Sequence, residues 1–169
     1  MSYYFSLLFI ILRDTRRRRF MVDHDKNDQM TLEKSAIIDE KIITAGEVKL
    51  LAYNLIHVVY TDKIRIEKEH IVEFNAIVDE WIPDGESACF LVNILGKYND
   101  FSREAQDYLA KDAPILKKGK VKASAIVLNN LAGRILTKFF ISVFRPPYPT
   151  KIVGSEEDGY TWLRSFDPV

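Results

Sequence analysis

Three histidines, one cysteine and a few acid pairs are what this sequence offers for chemistry. His24, His57 and His70 share no metal-ligand spacing with one another or with Cys89. His57 stands among apolar neighbours in the run "LIHVVYT", a setting for packing rather than ligation. Cys89 lies inside "ACFLVNIL". A nucleophilic thiol needs a base and an electropositive, partly exposed position, whereas this run predicts a small core residue. The pairs Asp79/Glu80 and Glu156/Glu157 fall in helical stretches and read as solvated faces, because acid–base work needs two carboxylates in one pocket. There is no glycine-rich phosphate loop and no Gly-x-Ser-x-Gly elbow. The expectation is a non-enzyme with no cofactor and no metal.

The elements around these residues set what else the chain can do. Its 169 residues suffice for one domain with a full core, and 47% apolar content excludes disorder for the whole chain. A single cysteine makes no internal disulfide, which fits a reduced, cytoplasmic setting. The formal charge is zero but uneven. Residues 1–20 hold five arginines and one acid, and the rest is acidic by the same margin. That acidic body is a poor match for a phosphate backbone, so no nucleic-acid partner is expected.

Residues 1–35 read as an arm outside the fold. The apolar stretch Tyr3 to Leu12 is about half of what a bilayer-spanning helix needs. Its arginines follow the apolar run, the reverse of a secretory signal. Either the arm contacts a membrane surface through apolar residues and arginines, or translation begins at Met21 or Met30. "DHDKNDQ" has no periodicity and reads as disordered.

A single domain is expected over 36–169. "AIIDEKIITAG" suggests an extra strand or hairpin arm. Glu47–Tyr53 and Leu55–Thr61 read as strands around Asn54. Ile71, Phe74, Val78 and Trp81 fall on one face of a helix that Pro83 and Gly85 stop. Ala88–Leu95 is nearly continuous in apolar residues, as a central strand covered on both faces would be. "SREAQDYLAKDA" is a short helix burying Ala105, Tyr108 and Leu109, with Pro114 at its far end, and "LKKGK" an exposed turn. Val121–Leu128 is another strand, followed by a strong helix with a wide apolar face that includes Phe139, Phe140, Val143 and Phe144. Pro146 and Pro147 end that helix. "TKIV" then makes an edge strand, and Ser155 caps the last helix. The expected order is β-β-α-β-α-β-α-β-α, a mixed, mostly parallel α/β sheet with helices largely on one side. The spacing Pro146-x-x-Pro149 matches a polyproline ligand formally, but between two buried elements it reads as a stiff joint.

"FSREAQDYLA", "VKASAIVLNNLAGRILTKFF" and "RPPYPTKIVGSEEDGYTWLRSF" resemble small bacterial proteins of STAS-like fold. These are of the anti-sigma-factor-antagonist type, with lipid-transfer CRAL-TRIO relatives. The resemblance covers roughly Glu47 to Phe166. It implies a small α/β sandwich with no established enzymatic activity, and an interaction or regulatory module that switches partners on serine phosphorylation. The corresponding place is "NDFSREA", with Asp100, Ser102 and Arg103; Phe101 and Arg103 depart from the family's Asp-Ser-Ser/Thr-Gly pattern. Ser102 is equally a natural N-cap. The alternative function is a carrier or sensor of a small lipid-like ligand on the face of Phe139, Phe140, Val143 and Phe144. The expected partner is a protein, a second copy of the chain included.

Overall fold

The computed structural model describes residues 36–61, 63–94, 100–128, 133, 137, 141 and 145–166. The chain opens with a hairpin: β1 (Ile37–Ile43) and β2 (Gly46–Leu51) pair antiparallel around Thr44 and Ala45. Gly46 is required there. A Cβ on it would lie 2.0 Å from the carbonyl oxygen of Val59 on the next strand. A single turn of 3-10 helix, Ala52–Asn54, leads into β3 (Leu55–Tyr60), antiparallel to β2. Asn54 takes the left-handed conformation (φ 54°) that asparagine tolerates.

From β3 onward, strands and helices alternate. A two-residue β4 (Arg65–Ile66) precedes α1 (Lys68–Trp81), which leads to β5 (Ala88–Ile94). A two-residue β6 (Asp100–Phe101), α2 (Arg103–Lys111) and α3 (Pro114–Lys117) then lead to β7 (Val121–Val127). Gly133, Thr137 and Ile141 are helical, and β8 (Thr150–Val153) and α4 (Glu156–Leu163) close the domain. Six strands form one mixed sheet in the order β1-β2-β3-β5-β7-β8, with β3, β5, β7 and β8 mutually parallel. β4 and β6 form a separate parallel pair.

Strand alternation divides the core in two. One face of the sheet presents Val48, Ile56, Val58, Tyr60 and Phe90 to Ile71, Phe74, Ile77 and Val78 of α1 and to Ala105 and Ile115 of α2 and α3. The other presents Leu51, Leu55, Cys89, Leu91, Ala123, Ala125, Val127 and Val153 to Tyr160 and Leu163 of α4. Each fully buried Leu, Ile or Val on these faces contributes about 2 kcal/mol. α4 lies close against the sheet because Gly159 has no side chain. A Cβ there would stand 2.5 Å from Leu91 Cδ1.

The expected mixed, mostly parallel sheet with helical cover is present, with three described helices on one face and one on the other. Four details differ. The extra strand is real and forms an edge, so three sheet strands precede the first long helix. β4 and β6 are too short to leave a pattern. Pro114 does not trail α2 but opens α3, where a missing N–H costs nothing. Lys120, placed in an exposed turn from sequence, is only 1% exposed. The stiff joint before β8 is anchored: Ser124 N–H donates to the Pro149 carbonyl at 2.9 Å, and Pro147 and Pro149 remain exposed. Ser155 Oγ accepts from the Asp158 N–H at 3.1 Å, the expected cap. Phe139, Phe140, Val143 and Phe144 lie outside the described residues.

Candidate functional site

Polar side chains gather where α4 meets the second sheet face. Alternation turns Glu47 and Lys49 of β2, His57 of β3 and Asn93 of β5 to that side, with Lys49 directly opposite His57. Glu156, the first residue of α4, reaches over them. Its Oε1 lies 3.3 Å from His57 Nε2 and accepts a hydrogen bond from Asn93 Nδ2. The imidazole contact lies off the line of a hydrogen bond. Burial pushes His57 below its ordinary 6.5, and the neighbouring Glu156 only partly offsets that. The ring is therefore neutral near pH 7. Beside it, Lys49 Nζ pairs with Glu47 at 2.5 Å and approaches Glu40 at 4.0 Å. The Lys49 hydrogen bond holds the Glu47 carboxyl below its usual range, and Glu47 holds Lys49 above its own. The cluster fastens the first turn of α4 to the sheet. Its acids, Glu156, Glu157 and Asp158, suit the positive pole of a helix N-terminus.

Sequence reading placed Glu156 on a solvated face. The structure corrects this, because α4 crosses the sheet with its first turn directly over Asn93 and His57. Asp79 is corrected likewise. It pairs with Lys120 (2.6 Å) and Lys118 (2.7 Å), and the hydrogen bond from Lys118 is the larger reason its carboxyl is held low. Lys120 Nζ also donates to the carbonyl of Ile82 at 2.7 Å. A buried cation thus closes the negative end of α1, which is a structural role. Cys89 is buried, as the sequence suggests.

The loop at Asp100, Ser102 and Arg103 is pinned rather than open. Asp100 and Phe101 pair with Arg65 and Ile66, and Ser102 N–H donates to Ile66 at 2.9 Å. Asp100 and Arg103 are exposed, but Ser102 is buried, and its Oγ accepts from the Ala105 N–H at 3.2 Å. The hydroxyl caps α2. A kinase would reach it only after the loop opens.

The open edge of the sheet is different in kind. On β1, Ile37, Ile38 and Ile42 are 54%, 63% and 77% exposed. Register puts Ile37, Glu40 and Ile42 on the second face with Leu51, Lys49 and Glu47, and a bulge at Ile38 shifts it. On the first face, Asp39 accepts from Trp81 Nε1 at 2.8 Å, and Lys41 pairs with Glu80. Packing accounts for the buried polar clusters, whereas among the described residues nothing accounts for three exposed isoleucines on one strand. "AIIDEKIITAG" suggests an extra strand or hairpin arm from sequence, with no sign that it forms an edge.

Among the described residues, no three His, Cys, Asp or Glu side chains converge on a metal position, and no helix is long and apolar enough to cross a membrane. The family model for a domain of unknown function, DUF7793, matches residues 50–167. The chain belongs to this family. The DUF7793 match contains His57, Asn93, Ser102, Lys120 and Glu156, begins at the end of β2 and leaves β1 outside. No curated protein and no solved structure matches the chain.

Proposed function

We propose that this DUF7793 protein is a non-enzymatic interaction or regulatory module that works through the open β1 edge. The observation that carries the reading is the exposure of Ile37, Ile38 and Ile42 on one edge strand. An edge of that kind is a template for strand addition by another chain, with backbone hydrogen bonds giving affinity and side chains giving selectivity. The resemblance to STAS-like proteins would imply a regulatory role of the same type. Partner switching at Ser102 is its finer form, with the burial of that hydroxyl requiring the loop to open first.

Ile42→Lys tests the reading, because a residue 77% exposed can carry a charge without disturbing the core. The variant melts like the parent but loses the proteins that co-purify with the parent from its own cells. Undiminished recovery of the same proteins contradicts the proposal.

A further inference from the structure

The five residues Ile38-Asp39-Glu40-Lys41-Ile42 read nearly the same in both directions. In an antiparallel pair of such strands centred on Glu40, Ile38 faces Ile42, Asp39 faces Lys41, and Glu40 faces itself. Opposite charges and apolar pairs directly across an antiparallel ladder are the stabilising combinations. The donor is in place as well. Glu40 N–H bonds to the side chain of Asp39 at 2.8 Å rather than to β2, so it points along the open edge. In antiparallel pairs the hydrogen-bonding direction alternates, so Ile42 presents its backbone to the same side. The bulge at Ile38 and the turn at Thr44 and Ala45 bound the free ladder at its two ends, which fixes its register. Glu40 against Glu40 is the one unfavourable pair, and each lies 4.0 Å from Lys49, a cation it shares with Glu47.

We infer that the occupant of the β1 edge is a second copy of this chain, paired antiparallel about a two-fold axis at Glu40. The inference rests on the reading of that edge as an interaction surface and names its partner. On pairing, Asp39 gives up the Glu40 N–H to the ladder, keeps its Trp81 bond, and meets Lys41 of the second copy, which already pairs with Glu80. Two sheets then continue through one another, with Ile38 and Ile42 sealing the junction.

Cysteine cross-linking of the full chain tests the register. Hydrogen-bonded antiparallel partners have Cα atoms about 5.5 Å apart, inside the disulfide range. Glu40→Cys therefore links to itself on mild oxidation. Ile42→Cys does not link to itself but links to Ile38→Cys when the two are mixed. Glu40→Cys remaining monomeric, or all three proteins linking alike by random collision, overturns the inference. If Glu40→Cys fails to link while Ile42→Lys still removes the co-purifying proteins, self-pairing is wrong and the interaction surface stands. If neither variant has an effect, both readings fail.

Discussion

Burial of a single imidazole gives this fold a pH dependence. His57 is neutral when folded because burial disfavours its charge, and an unfolded histidine titrates near 6.5. Below 6.5 the unfolded chain binds the extra proton first. Stability is thus fully present above 6.5, declines as pH falls toward the lower folded value, and levels off beneath it. His57→Gln removes that component: between pH 7 and 5 its melting temperature falls less than the parent's, as thermal unfolding at several pH values would show. Equal slopes would mean that His57 is not protonation-limited. Residues of this kind were only half legible. "LIHVVYT" pointed to a packed or half-exposed His57, but its partner Glu156 is 99 residues away, and sequence spacing carries no trace of such a contact. Lys120 was misplaced for a related reason. A lysine after a turn is ordinarily solvated, and what buries this one is the end of α1, brought near by the crossover.

Elements were read best where their period was long. The α1 stripe and the continuous apolar run of β5 predicted a helix against one face and a central strand, and both are present. β4 and β6 have two residues each, below the length at which alternation means anything. The start of α2 was legible from Ser102 as a cap, and that role has a measurable cost. Ser102→Ala leaves the Ala105 N–H without its acceptor and lowers stability by about 1 kcal/mol in urea unfolding. A switch at Ser102 requires more than this. Ser102→Asp, which can still cap, must alter the proteins that co-purify, and a variant that changes neither stability nor recovery leaves only the cap. β1 was visible only as an extra strand or hairpin arm. Its exposure was not, because whether an alternating strand lies at an edge depends on which strands find it.

Among the described residues, one mixed sheet is covered on one face by α1, α2 and α3 and on part of the other by α4, with β1 and β8 as its edges. The two edges are not equivalent. β8 is four residues long and follows a proline joint, while β1 is seven residues long and carries exposed isoleucines between charges. Bulge and charges restrict which strand can add there without closing the edge. The central claim is that the protein acts through this surface. The most direct measurement is photo-cross-linking in its own cells, with the reactive side chain at position 42 and, as control, at the exposed Glu86 of the loop after α1. The account predicts a discrete protein adduct from position 42 and none from position 86. Equal adducts from both, or none from position 42, would contradict it.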